Sequence, residues 1–259
     1  MDSLYRRTPE DGEECRVGCL TMIRRAGPGL AALFFVWMAG CAAGEDRSPA
    51  EMLSIVSAGL EGVDRYTFRS STTVRSGGID LQELESYEGE IAGHAVREIR
   101  SLSGGDSLAA DAAATPAARL AELARSGAEI RYAAEAPDGC VTLHVRLPDD
   151  AAAREIRSRL TRRFELAAKK ALSEPVAGAG EDYRRTVADE TARFRRELEN
   201  LLSGLQAEAT VLVTVDRKTM LPLKLEETVV IRYEAEGKPR TEEWVTRTTL
   251  DGFEGKPAS

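Results

Sequence analysis

The chain has 259 residues, which suits one ordinary domain plus a leader, or two small domains. Charged residues are 30% and aromatics 5%, so the chain is globular in composition but too aromatic-poor for a large aromatic core. The formal net charge of -8 repels phosphate backbones and argues against a nucleic-acid partner.

Residues 1–21 are polar and charged and contain Pro9 and Gly12. They are unlike the start of a secretory signal, so they read as an extension that is not native to the protein, with translation beginning at Met22. The alternative is an unusually long basic leader region. Cys15-x-x-x-Cys19 has no second Cys or His pair at ligand spacing, so no metal site is expected there. Residues 22–40 read as a signal peptide. Arg24-Arg25 form the basic start, no charge occurs from Ala26 to Gly44, and Leu30 to Met38 form the apolar centre. That centre is short for a spanning helix, which needs about 20 apolar residues. An uncleaved membrane helix is the competing reading, disfavoured by the poor helix formers that follow in Gly40-Cys41-Ala-Ala-Gly44. Met38-Ala39-Gly40-Cys41 resembles a bacterial lipobox, with Met where Leu is usual. The resemblance implies lipid on Cys41, cleavage before it, and a membrane-anchored, extracytoplasmic chain of the cell membrane or outer envelope. Residues 41–49 are then the lipidated cysteine and a short polar tether.

Residues 50–255 read as one folded domain. Ser48-Pro49-Ala50-Glu51 is a capping-box start, with Met52, Ile55, Val56, Gly59 and Leu60 on the inward face and Gly62 as the stop. Alternation then begins at Tyr66 and Phe68 and reaches Val74. Gly77-Gly78 is a turn, and Ile79, Leu81 and Tyr87 carry a second strand whose phase is broken by Leu84. Residues 91–96 start a weaker third strand. Residues 101–116 read as a loop, and Pro116 to Ala124 as a helix with Leu120 and Leu123 inward. Ile130 and Tyr132 mark a strand that Pro137-Asp138-Gly139 turns into Val141, Leu143, Val145 and Leu147.

Two long helical stretches follow. The first carries Ile156, Leu160, Phe164 and Leu172 at helical spacing, and the second carries Tyr183, Val187, Thr191, Phe194, Leu198, Leu201 and Leu205. Val211, Val213 and Val215 begin the C-terminal strands. Asp216 to Thr219 is a polar turn, and Leu221, Leu223, Leu225, Val229, Ile231 and Tyr233 hold one parity with only Glu227 out of character. Gly237-Lys-Pro239 turns into a last strand with Trp244, Thr246, Thr248 and Leu250. The expected class is α+β: a curved antiparallel sheet, a half-barrel, with helices packed on one face, including a long helical hairpin.

Little points to catalysis. His94 and His144 are the only histidines. A Cys140–His144 dyad on one strand face fails because residues four apart lie about 13 Å apart. No paired-acid, phosphate-loop or HExxH signature occurs, so neither catalysis, metal nor cofactor is expected. Glu227 is either a polar contact inside a cavity or, on the blander reading, turned outward by a bulge.

Short motifs resemble the LolA-like and LppX/LprG-like lipoproteins: Tyr66-Thr-Phe68 after the opening helix, Ser86-Tyr87-Glu-Gly-Glu-Ile91, Val215-Asp216-Arg-Lys-Thr219-Met-Leu221-Pro222-Leu-Lys224, and Leu250-Asp-Gly-Phe253. The resemblance implies a half-barrel that holds lipid or acyl chains between sheet and helices, or a relative of the RseB sensor domain. On that basis the expected ligand wall is Tyr66, Phe68, Leu143, Val145, Leu223, Leu225, Val229 and Ile231, positions that plain core packing explains equally well. The two functional expectations are binding of a lipid or other apolar molecule and, alternatively, a closed-core sensor that meets an envelope protein.

Overall fold

The computed structural model describes residues 47–76, 79–102, 115–173 and 180–255. The chain divides at Asp46/Arg47 into two units, and every described residue belongs to the second. The expectations for residues 1–21, 22–40 and Cys41, for Gly77-Gly78 and for residues 103–114 therefore lie outside the described residues.

The described elements run α1 (Pro49–Glu61), β1 (Arg65–Ser76), β2 (Ile79–Ala92), β3 (Ala95–Ser101), α2 (Pro116–Arg125), β4 (Glu129–Tyr132), β5 (Cys140–Arg146), α3 (Asp149–Ser173), α4 (Glu181–Ser203), β6 (Gln206–Asp216), β7 (Pro222–Ala235) and β8 (Lys238–Glu254). The fold is α+β. Its single eight-stranded sheet has the order β3-β2-β1-β8-β7-β6-β5-β4. Every neighbouring pair is antiparallel, and the sheet is open, with β3 and β4 at its edges.

Local chemistry explains most boundaries. Ser48 accepts from the Glu51 backbone while the Glu51 side chain accepts from the Ser48 backbone, so both arms of the capping box form and Pro49 opens the helix. Asp216 Oδ1 accepts from the backbone N–H groups of Lys218 and Thr219 at 2.8 and 2.7 Å, which ties the β6–β7 turn. Glu236 and Gly237 both adopt positive φ, as the two-residue β7–β8 hairpin requires.

One parity of each strand faces the helices. Tyr66, Leu143, Val145, Val211, Val213, Val229 and Ile231 form a continuous core with Leu53, Val56 and Leu60 of α1, Leu120 and Leu123 of α2, and Ile156 of α3. Burying each such Leu or Ile stabilises the fold by about 2 kcal/mol. Arg157 of α3 donates to the carbonyls of Leu202 and Leu205 at 3.0 and 2.6 Å, capping the end of α4. Farther along, Arg195 of α4 makes a bidentate pair with Glu165 of α3.

Several inward assignments shift. The buried face of α1 is Leu53, Val56, Ser57 and Leu60, and Ile55 is exposed. Strand β2 carries bulges that leave Leu84 and Leu81 without direct partners, which explains the broken phase. As a result Ile79 and Leu81 are exposed. The stretch 91–96 holds a hairpin turn as well as the start of the third strand: Ile91 and Ala92 end β2, Gly93 and His94 both have positive φ, and β3 begins at Ala95. Leu172, Tyr183 and Phe194 are exposed, Leu202 is the one buried position recorded on α4, and Leu205 packs in the core just beyond that helix.

Candidate functional site

A cleft of about 750 Å³ lies between α2, α3 and the inner face of the sheet. Its apolar surface comes from Phe68, Tyr87, Leu147, Val211 and Leu225. Between these side chains runs a band of hydroxyls. Ser70 Oγ pairs with Thr248 Oγ1 at 3.0 Å, and Thr72 Oγ1 pairs with Thr246 Oγ1 at 2.9 Å, in step with the β1–β8 register. Ser70 and Thr72 are buried, so this band is a polar stripe set into the face that elsewhere forms the core.

Charge converges at one end of the stripe. Arg119 of α2 is buried and reaches Glu227 of β7 at 2.7 Å, Glu122 at 2.9 Å and Glu155 of α3 at 3.0 Å. Its Nε is buried with no hydrogen-bond partner among the described residues. One guanidinium thus fastens two helices to the sheet. Burial opposes its charge, but Glu227, Glu155 and Glu122 outweigh that penalty and hold Arg119 above the ordinary arginine range. Glu155 shifts upward, chiefly through burial; Arg119 works against the shift and Glu227 adds to it. Burial also pushes Tyr66 up to about 12. At the other end of the stripe, Arg163 and Arg159 of α3 meet Glu85 of β2, the latter at 3.7 Å.

Of the eight expected wall residues, Phe68 and Leu225 line this cleft. Tyr66, Leu143, Val145, Val229 and Ile231 sit in the continuous core. Leu223 does not face inward. Thr214 pairs with Lys224 and Val215 with Pro222, so Leu223 is the extra residue of a bulge and stays 37% exposed. Glu227 behaves in the opposite sense from the blander expectation: it keeps the inward parity, and Arg119 compensates its charge.

His144 is half-buried, and Thr142 on the same strand face is buried. His94 is held at its hairpin turn by the Glu61 carbonyl at 3.0 Å and by Asp64 at 3.3 Å. Neither histidine lines the cleft. Among the described residues no cluster of His, Cys, Asp and Glu is arranged to hold a metal ion, and no helix is long and apolar enough to cross a membrane.

The sequence reading missed Arg119, Glu155 and the hydroxyl stripe. A signal for Arg119 existed, since it adjoins Leu120 and stands four residues before Leu123, on the inward face of its helix. The stripe was visible as Ser70-x-Thr72 and Thr246-x-Thr248, polar residues sharing a parity with Phe68 and Leu250.

No curated protein matches the chain. The signature of one protein family does: BAT, the GAF and HTH_10 associated domain, over residues 74–184, less than half of the chain. That span runs from the end of β1 into the first turn of α4 and includes both helices that roof the cleft. This match corrects the resemblance to LolA-like and LppX/LprG-like lipoproteins. The motifs behind that resemblance are a strand entry, a glycine opposite an aromatic ring and a Leu-Pro turn, which are general devices of antiparallel sheets. The family to which the chain is similar, over residues 74–184, is the GAF and HTH_10 associated domain.

Proposed function

We propose that the chain is a non-enzymatic ligand-binding module, tethered outside the cytoplasm by lipid on Cys41, whose cleft takes a small amphipathic molecule. The observation that carries this reading is the cleft itself. Its size falls within the usual range for small-molecule sites, and apolar side chains alternate there with hydroxyls and charges. A lipid acyl chain is one occupant of that kind, lying along Phe68, Tyr87 and Leu225. On this reading the sheet curves as a half-barrel, and α3 and α4 cross it as a helical hairpin. The Arg195–Glu165 pair and the Arg157 cap support that arrangement. The match to a domain associated with GAF and HTH_10 regions favours a sensing use over bulk carriage.

The test uses the full chain purified from membranes. Solvent extraction followed by mass spectrometry is expected to release an amphiphile, and a fluorescent fatty acid is expected to be displaced by that extract. No co-purifying molecule together with no fatty-acid uptake overturns the reading. Cys41→Ser is expected to release the chain from the membrane fraction; retention there counts against the anchor.

One observation favours a second reading, a protein-interaction module. Leu172, Tyr183 and Phe194 are large apolar side chains left exposed on the two long helices. Crosslinking in cells from Tyr183 and Phe194 would yield one specific partner on this reading, and a diffuse pattern would exclude it.

A further inference from the structure

We infer that the ligand of the cleft carries a negative charge, read by Arg162 of α3 and Arg125 at the end of α2. This inference rests on the cleft being a ligand site, as proposed above, and adds the sign and place of the ligand's charge.

The chain as a whole is acidic, at -8, yet the cleft lining reverses that balance: five arginines against three glutamates. The five are not equivalent. Arg119 is saturated by its three carboxylates. Arg154 is paired with Asp150, one turn back on the same helix, and Arg159 leans towards Glu85. Arg125 and Arg162 also line the cleft, and among the described residues neither has a carboxylate partner. The three glutamates of the lining, Glu122, Glu155 and Glu227, each pair with Arg119 instead. The cleft therefore offers two uncommitted guanidinium groups above a floor of Phe68, Tyr87 and Leu225. A carboxylate or phosphate attached to an apolar body matches both parts. A neutral amphiphile leaves the arginines unused, and a cation meets them with repulsion.

Arg162 and Arg125 are not needed for the core, since both side chains belong to exposed residues. Their replacement should leave the fold intact, as circular dichroism and thermal melting can check.

The experiment compares dodecanoate, dodecanol and dodecylamine for binding to the full chain by calorimetry, in the wild type and in Arg125→Ala/Arg162→Ala. The expected result is dodecanoate binding about tenfold tighter than dodecanol, as one charge-assisted contact provides. Dodecylamine should bind weakest. In the double variant the acid and the alcohol should converge, and added salt should weaken the acid alone in the wild type. Equal binding of all three probes to the wild type overturns the charge assignment while leaving the cleft as a site. Preserved selectivity in the folded double variant overturns the assignment to Arg125 and Arg162. If none of the three binds, the cleft reading itself fails.

Discussion

Arg119→Met is the substitution that weighs most directly how the cleft is built. Methionine keeps much of the length and apolar stem of arginine but removes the cation that balances three carboxylates. The side chains of Arg119 and Glu227 are 11% and 13% exposed, so Glu227 cannot recover its solvation by a small movement. Glu155 is 26% exposed and Glu122 52%, so these two can turn towards water and lose less. Removing one partner of a buried ion pair costs about 3–5 kcal/mol, and the partial exposure of two of the three acids places this case near 3. For a domain of this size that corresponds to a fall in Tm of roughly 6–12 °C. Urea unfolding at neutral pH measures the loss directly, with the slope expected to stay constant. Adding Glu227→Gln should recover a substantial part of it, because the most buried orphaned charge is then gone. If Arg119→Met alone stays within about 0.5 kcal/mol of the wild type, the cluster is solvated and the reasoning fails.

Three further outcomes follow from other groups. Glu155 has a raised pKa, so the folded chain holds its proton more tightly than the unfolded chain. The stability this confers is full below the ordinary value of 4.5 and is lost as pH rises through the folded value. Glu155→Gln should therefore gain on the wild type as pH rises above the ordinary carboxylate value of 4.5, and a difference that stays constant as pH rises would contradict the shift. Gly89→Ala would place a Cβ 2.5 Å from the Phe68 ring, so an overpacking loss of about 1–3 kcal/mol is expected in denaturant titration. Phe68→Leu in the same background should return part of it. Ser48→Ala removes the side-chain arm of the α1 capping box, leaving the residue-48 N–H to donate to Glu51, and should cost about 1 kcal/mol, read as a drop in Tm without change in the cleft.

Much of the frame was legible because it depends on neighbours in sequence. The capping box at Ser48, the Asp216–Thr219 turn, the alternation from Val211 to Val215 and the disturbed phase at Leu84 are all local signals. What failed was the step from a periodic face to the thing that covers it. Tyr183 and Phe194 form a proper helical stripe, but α4 lies over the sheet mainly near its end, at Leu202. Leu223 kept the right parity and was turned out by a bulge that only strand pairing reveals. The site was harder to see for a related reason. Glu227 stood out as an acid among apolar residues, yet its partner Arg119 lies 108 positions away in an alanine-rich helix. Long-range compensation of a buried charge leaves no periodic trace.

The position of β8 bears on how this chain is assembled. It is the last described strand, and it lies in the middle of the sheet between β1 and β7. A side-chain bond from Thr67 to Asp251 spans 184 positions. During synthesis β1, β2 and β3 can pair among themselves, but the inner edge of β1 stays open until β8, more than 160 residues later, has emerged. The contacts that join the two halves are therefore both the most distant and the latest, which makes folding slow and concerted. Losing β8 would not shorten the sheet from one side. It would part it into a three-stranded and a four-stranded piece, each with a raw edge prone to mispairing.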